Sequence, residues 1–304
     1  MDCHSPGSLD SLLLATARPP RIISISLADM TATLVVPDCG GVPQGIAIDV
    51  ERSHVFWTNM GEDSSRNDGF IERADLDGAN RTEIVQRGQT FTPKQVVVEA
   101  KQGLLYWADC EGMRVMRSRL DGTEVTVLVQ TGETEEHRRE EGRHCVGIAV
   151  DSANGFIYWT QKCPNAKANG RIFRAGLELP PGADPRNRPD LKVALAELPE
   201  PISLIWDSRD GFLYWTDRGP SPSCNTLNRA KYLDGRLIEP EIVLSGLDEG
   251  IALALDIARG RAFVTDLGGA VRMMKLERTG ESEVILSGHG PLSGIVFVPR
   301  PSCT

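Results

Sequence analysis

The amino-acid sequence predicts an all-β fold of six repeated units, each with four antiparallel strands. One phrase recurs as GLLYWAD at 103–109, GFIYWT at 155–160 and GFLYWTD at 211–217. Four of the five tryptophans occupy the same place in this phrase, at steps of 50, 52 and 56 residues: Trp57, Trp107, Trp159 and Trp215. A short apolar phrase precedes each copy. Four strands in a period of roughly 40 to 50 residues are typical of a β-propeller blade.

The two phrases supply the first two strands of each blade. The second strand is the aromatic phrase, near 12–16, 55–59, 105–109, 157–161, 213–217 and 262–266. The innermost strand is the apolar phrase before it, at 45–49, 95–99, 147–151, 203–207 and 252–256. Polar turns such as SRDG at 208–211 separate the two phrases, so each pair is predicted to form a β-hairpin.

The third and fourth strands follow, as in VMRSRLDG at 115–122 and VTVLVQ at 125–130. A last apolar phrase at 294–298 has no aromatic phrase after it. At the other end, the segments at 12–16, 21–27 and 33–36 lack an innermost strand. We therefore predict that the two ends of the chain share one blade, which closes the ring and leaves no free radial sheet edge.

Composition limits the classes of function. Residues 1–304 are predicted to form a single six-bladed propeller domain, because closed all-β folds of this length are commonly one domain. The net charge of −9 argues against a nucleic-acid partner. No apolar run approaches the roughly 18 residues of a membrane span, so no membrane partner is expected. The first twenty residues lack a basic leader, which predicts a cytoplasmic location unless a leader has been removed.

The cysteines and short motifs predict neither a metal nor a cofactor. Seven cysteines without CxxC spacing indicate neither a disulfide framework nor a zinc site. The strand assignment places Cys39, Cys110, Cys145, Cys163 and Cys224 in loops of one face. We interpret them as small buried residues, with redox or nucleophilic chemistry as the alternative. No nucleotide-binding or hydrolase fingerprint is present.

The same face carries the long loops, at 60–69, 130–144, 161–170 and 218–226. Long loops at one end of a rigid scaffold are a frequent place for binding. We therefore expect a small-molecule substrate in a funnel over the central channel. The charged run at 133–141 is interpreted as a solvated or mobile loop, with a lid as the alternative.

Side chains at the start of the innermost strands are expected to face this channel. The expected substrate-binding residues are Gln44, Lys94, Gln95, Ser203 and Asp248, and the expected catalytic residues are His144, His289 and Glu249. Histidine and carboxylate groups that face one funnel could act as acid and base near neutral pH. The alternative for each is a solvated loop residue. His54 lies in a hairpin on the opposite face and is expected to be inert.

The tetrapeptide YWTD at 214–217 and its variants resemble the YWTD-type six-bladed propellers of lipoprotein-receptor ectodomains, over nearly the whole chain. The resemblance implies that the four phrase tryptophans pack between blades. Two copies, at 12–16 and 262–266, depart from the pattern. Without Cys-rich receptor modules, the chain is more similar to free-standing fungal members. Some of those are hetero-Diels–Alderases of tropolone sesquiterpenoid biosynthesis in fungal secondary metabolism.

This resemblance implies a cofactor-independent pericyclase that joins a quinone methide to a terpene alkene such as humulene. An apolar pocket would align the two reactants, and hydrogen-bond donors would polarise the oxygen-bearing diene. Two alternatives stay open. A non-enzymatic propeller would bind a ligand or a protein partner on this face. A lactonase-like hydrolase would hold a metal in the channel, where Asp248 and Glu249 are adjacent and so point to opposite sides of a strand.

Overall fold

The computed structural model describes residues 10–162, 169–219 and 224–300. In these ranges, 24 strands form six four-stranded antiparallel sheets arranged as a six-bladed β-propeller. The predicted fold class is therefore confirmed. None of the helices in these ranges has the length and apolar character to cross a bilayer.

Five blades follow the chain in order, from the channel outward. The second blade has β4 (Pro43–Asp49), β5 (His54–Asn59), β6 (Gly69–Asp75) and β7 (Thr82–Thr90). The third has β8 (Pro93–Glu99), β9 (Leu104–Asp109), β10 (Arg114–Arg119) and β11 (Thr126–Gln130). The fourth has β12 (Cys145–Asp151), β13 (Phe156–Gln161), β14 (Gly170–Gly176) and β15 (Lys192–Leu198). The fifth has β16 (Pro201–Asp207), β17 (Phe212–Asp217), β18 (Thr226–Leu233) and β19 (Arg236–Leu244). The sixth has β20 (Gly250–Asp256), β21 (Arg261–Asp266), β22 (Val271–Lys275) and β23 (Glu283–Leu286).

The first blade is built from both ends of the chain. Its order is β24 (Leu292–Val298), β1 (Ser11–Ala17), β2 (Pro20–Ser26) and β3 (Ala32–Val36). The antiparallel register pairs Ser11 with Val298 and Leu14 with Ile295. The predicted closure by a shared blade is confirmed.

The aromatic phrase forms the core between neighbouring blades. Trp57, Trp107 and Trp159 are fully buried and Trp215 is 2 % exposed. Trp57 packs in one cluster with residues of the shared blade, including Leu13. Burial of a large apolar side chain contributes about 1.5 to 3 kcal/mol, so these contacts hold the blades together.

In two blades, the threonine of the phrase links the blade to the next. The Thr160 hydroxyl accepts a hydrogen bond from the Gly147 N–H at 2.7 Å and donates to the Ile202 carbonyl of the next blade at 3.1 Å. A Cβ atom at Gly147 would lie only 2.0 Å from that carbonyl oxygen, so the close approach requires glycine. Thr58 and Gly45 repeat the arrangement toward the Lys94 carbonyl.

Part of the charged run at 133–141 folds into a short helix, α1 (Glu135–Arg138), followed by a 3-10 turn at Glu141–Arg143. The Thr134 hydroxyl caps α1 by accepting from the His137 N–H at 3.2 Å. A second 3-10 turn lies at Ile257–Arg259. The helix was not predicted, because four residues are too few to show a helical period.

None of the buried cysteines Cys39, Cys110 and Cys145 forms a disulfide. Cys39, Cys110 and Cys145 are buried, and each belongs to a different apolar cluster. Cys224 is half-buried. Cys163 lies outside the described residues.

Candidate functional site

The central channel contains a cavity of about 270 Å³, lined by the innermost strands of all six blades. These strands start at the face that carries the long loops, so the first residues of each strand surround the mouth there. The polar residues of the wall are Gln44, Lys94, Gln95, Ser203 and Ser293. The far end is apolar, with Ile48, Val98, Val150, Trp206, Leu255 and Phe297. The cavity is therefore polar at its mouth and apolar at its far end.

Lys94 is the charged residue of the cavity wall. Its Nζ lies 2.6 Å from the Met60 sulfur and 3.5 Å from Oε1 of Gln44. Within the described residues, no carboxylate oxygen pairs with it. Burial lowers the pKa of the Lys94 amine, against the opposing influence of Cys110 and Glu111. An unpaired, desolvated amine in a concave site is a typical feature of functional lysines.

Gln95 crosses the channel. Its Oε1 accepts hydrogen bonds from the backbone N–H groups of Ile148 at 3.0 Å and Leu204 at 2.9 Å, and its Nε2 donates to the Leu204 carbonyl at 2.5 Å. The side chain therefore joins the third blade to the fourth and fifth. It satisfies backbone groups that would otherwise face the channel.

The third blade departs from the repeat at three positions that meet at the mouth. Where the other blades have Gly45, Gly147, Ser203, Ala252 and Gly294, the third has Gln95. Where most aromatic phrases have threonine, it has Ala108, so no hydroxyl can bond the next blade there. Lys94 is the only cation at its strand position among the six blades. Gln95 uses its departure to tie three blades together, whereas the Lys94 amine has no carboxylate partner among the described residues and forms no such tie.

Four of the eight predicted site residues line the cavity: Gln44, Lys94, Gln95 and Ser203. The other four lie outside its wall. Glu249 is exposed and 3.7 Å from Arg218, and Asp248 is also exposed. His289 is half-buried in the turn before β24. The catalytic and binding roles of all eight stay predictions.

His144 is buried beside the cavity instead of facing it. Only 6 % of the residue is exposed, and its Nε2 lies 2.8 Å from the Arg138 carbonyl oxygen. The imidazole is thus hydrogen bonded to the last residue of α1. Its Nδ1 has no hydrogen-bond partner among the described residues.

A second group of polar side chains was not predicted. Ligand atoms of Cys110, Glu111 and His144 all lie within 4.8 Å of one another. Thr92 donates a hydrogen bond to the Glu111 carboxylate. Burial alone would raise the pKa of Glu111, but the nearby Lys94 charge and the Thr92 bond lower it below its ordinary value. The sequence offered no motif for this group, because its members belong to loops of two different blades.

Trp206 and Ser293 were also missed as wall residues. Trp206 is half-buried in the wall, stacked on Tyr158 with ring centroids 5.9 Å apart. Its position outside the aromatic phrase was the available signal. Ser293 donates to the Pro43 carbonyl at 2.7 Å, which explains its presence as a link between blades.

Comparison with known proteins places the chain beside two fungal relatives. No protein-family model matches the chain. It is 40 % identical over 294 residues to a protein of Pyricularia oryzae named low-density lipoprotein receptor-related protein 1, covering 93 % of this chain and 94 % of that one. It is 34 % identical to the 3-hydroxyacyl-CoA dehydrogenase-like protein LAM1 of Cochliobolus heterostrophus, over 84 % of this chain but only 56 % of that protein.

Solved structures share the fold. A chain of a nidogen/laminin complex superposes with a TM-score of 0.72 at 22 % identity, covering 95 % of this chain and 98 % of that one. The gluconolactonase XC5397 of Xanthomonas campestris superposes with a TM-score of 0.63 at 19 % identity, covering 96 % and 91 %. Together with the repeated phrase and the six observed blades, the similarity to the Pyricularia protein shows that the chain belongs to the family of YWTD-type six-bladed β-propellers.

Proposed function

We propose that this protein is a small-molecule enzyme that catalyses a cofactor-free cyclisation or cycloaddition in the channel cavity. The reaction type is a hetero-Diels–Alder addition, in which an oxygen-bearing diene of the quinone-methide type adds to a terpene alkene. One new C–C bond and one new C–O bond form, and no atom is lost in this step. The observation that carries the proposal is the cavity itself, which is apolar along its length with donors at the mouth.

The two ends of the cavity suit the two reactants. The amine of Lys94 and the amide of Gln44 surround the mouth, where they would bond the oxygen of the diene. Donors that are fixed in a water-poor site stabilise developing negative charge more strongly than water does. The apolar far end would hold the alkene. Alignment of two reactants in one site lowers a bimolecular barrier by up to roughly 7 to 11 kcal/mol.

The volume limits how the reactants are placed. Pockets for drug-sized ligands typically span about 300 to 1,000 Å³. At about 270 Å³ the cavity accommodates one reactant. We therefore place the alkene in the channel and the diene at the mouth, between Lys94 and the long loops.

The composition of the wall favours this reaction over a lactonase-like hydrolysis. The residues described around the cavity include no Asp, Glu or His. The lactonase-like alternative places its metal inside the channel, where the ligands would have to come from the wall itself. A purely protein-binding role would also leave the unpaired amine of Lys94 in an apolar wall without a purpose.

The fungal relatives support the proposal at a coarser level. The name of the Cochliobolus protein refers to a dehydrogenase-like enzyme, and the present chain spans about half of that protein's length. A name that refers to an enzyme is consistent with small-molecule chemistry. The specific reaction rests on the cavity and its donors.

Two measurements test the proposal together. Trp206 is the one tryptophan in the cavity wall, since the other four are buried in the core. Humulene should therefore quench or shift the fluorescence of the wild-type protein but not of Trp206→Phe. With humulene and ortho-hydroxybenzyl alcohol, which loses water to give a quinone methide, the protein should yield a cycloadduct with one enantiomer in excess. Racemic adduct at the uncatalysed rate, with no fluorescence change, would contradict the proposal.

A further inference from the structure

We propose that Cys110, Glu111 and His144 form a zinc-binding site beside the channel cavity. One ligand atom from each residue lies within 4.8 Å of the other two. Thiolate, carboxylate and imidazole are all zinc ligands. The sulfur and nitrogen ligands disfavour magnesium and calcium, which take oxygen ligands. This inference is independent of the proposed cycloaddition, and it replaces the expectation of a metal-free protein.

The imidazole of His144 has one ring nitrogen available as a ligand. A carbonyl oxygen can only accept a hydrogen bond, so the contact of Nε2 with the Arg138 carbonyl at 2.8 Å places the proton on Nε2. Nδ1 then carries a lone pair, and this atom is buried without a partner among the described residues. A buried polar atom without a partner is costly. Histidines that bind metals commonly donate their other ring N–H to a carbonyl, as His144 does here.

The surrounding loops hold the other ligands in place. The Thr92 hydroxyl donates to Oε2 of Glu111 and accepts from the Glu111 N–H at 2.8 Å, which leaves Oε1 available. Nε of Arg138 donates to the Glu111 carbonyl at 2.9 Å. The guanidinium of Arg138 also lies over the Phe91 ring, 4.2 Å from its centroid. One residue, Arg138, therefore fixes both the histidine and the glutamate.

The charges of the site match a divalent cation. Zinc would displace the thiol proton of Cys110, which leaves to solvent, so a thiolate and a carboxylate balance the two positive charges. The nearby charge of Lys94 opposes the cation. We therefore expect weaker binding than at zinc sites with four protein ligands. Three protein ligands leave one coordination position for water.

The site adjoins the cavity. Cys110 packs against Val146 and Ile202, and both of these residues line the cavity wall. A bound ion would therefore stiffen the mouth next to Lys94. A zinc site also explains why the buried side chains of Cys110 and His144 meet among the loops at the channel mouth.

The test uses the full chain, stripped with EDTA and titrated with Co²⁺ as a spectroscopic probe and with Zn²⁺. Wild-type protein should bind one ion per chain, show a thiolate-to-cobalt charge-transfer band, and melt at a higher temperature with zinc. Cys110→Ser should lose the charge-transfer band, and His144→Ala should bind zinc at least about 100-fold more weakly, beyond the 10- to 100-fold typical of losing an outer partner.

Matched controls distinguish the loss of a zinc ligand from the general effect of removing a cysteine or a histidine. Cys145→Ser removes another fully buried cysteine of the same face, and His289→Ala removes the other histidine that precedes an innermost strand. Both should bind cobalt like the wild type. If a ligand variant fails to fold, the charge-transfer band of the wild-type protein still tests whether a cysteine thiolate binds cobalt. A wild-type protein without the charge-transfer band, or zinc binding that is unchanged in Cys110→Ser and His144→Ala, would overturn the proposal.

Discussion

The side-chain amide of Gln95 is hydrogen bonded to both backbone groups of Leu204, which lies 109 residues later and two blades away. The same oxygen also accepts from the Ile148 N–H. One side chain thus ties three innermost strands together across the channel. At the equivalent position, the other five blades have only glycine, serine or alanine.

Replacement of Gln95 by alanine should loosen this tie. Three hydrogen bonds would be lost, each worth about 0.5 to 1.5 kcal/mol net, while water entering the channel would replace part of them. We expect the free energy of unfolding in urea to fall by about 1 to 3 kcal/mol. Gln44→Ala is the control, because that side chain meets only Lys94 at 3.5 Å. Equal stability of Gln95→Ala and Gln44→Ala would show that the bridge contributes nothing.

Replacement of Lys94 by methionine should separate function from stability. The variant keeps the length of the side chain but removes the amine, so formation of cycloadduct should fall by roughly 10²-fold. The melting temperature should equal or exceed that of the wild type, because the substitution removes an unpaired amine from the apolar wall. Lys101→Met, on an exposed hairpin, is the control for loss of one positive charge. If Lys94→Met and Lys101→Met form product at the same rate, Lys94 has no catalytic role.

Asp217 should make stability depend on pH. Burial raises the pKa of this carboxyl to about 7, although its hydrogen bond from Nε1 of Trp215 at 2.7 Å opposes the shift. Because the folded pKa lies above the unfolded value, the stabilisation is present below about pH 4 and is lost as pH rises through 7. The free energy of unfolding should therefore fall by roughly 2 to 4 kcal/mol more between pH 5 and pH 8 in the wild type than in Asp217→Asn. Parallel pH profiles would contradict the raised pKa.

Removal of the closing strand should open the ring. Deletion of residues 290–304 eliminates β24, which pairs with β1 and packs between the first and sixth blades. We expect loss of the single cooperative melting transition measured by circular dichroism. Deletion of residues 301–304 leaves β24 intact and is the control. A sharp transition at the wild-type temperature in the longer deletion would show that closure by this strand is not required.

The fold could be predicted from the sequence because each blade repeats the same local pattern. All six aromatic phrases lie in second strands, and the phrase at 294–298 lies in the closing strand. The innermost strands begin two residues before the predicted starts. Pro43, Pro93 and Pro201 occupy the first position, where an edge strand needs no N–H group. A bulge after each of these prolines was not visible in the apolar pattern.

The candidate site was only partly predictable. Gln44, Lys94, Gln95 and Ser203 follow from strand position alone, since the start of an innermost strand must face the channel. The direction of a loop side chain depends on its neighbours. His144 is turned away from the cavity by the Arg138 carbonyl, a contact between residues six apart that no period reveals. Glu249 is likewise held beside Arg218 of the preceding blade.

The central claim is that the reaction takes place at the mouth of the channel cavity, with the alkene held in the channel. Ile251 occupies the strand position of Lys94 in the sixth blade and lines the cavity, so Ile251→Trp should fill the mouth without adding charge. Leu233→Trp, at an exposed position of the outer strands, is the matched control. The decisive measurement is the initial rate and enantiomeric excess of the humulene cycloadduct. We predict that the initial rate of Ile251→Trp falls at least about tenfold and that its product approaches the racemic mixture of the uncatalysed reaction, while Leu233→Trp matches the wild type in both. An unchanged rate and enantiomeric excess in Ile251→Trp would contradict the claim.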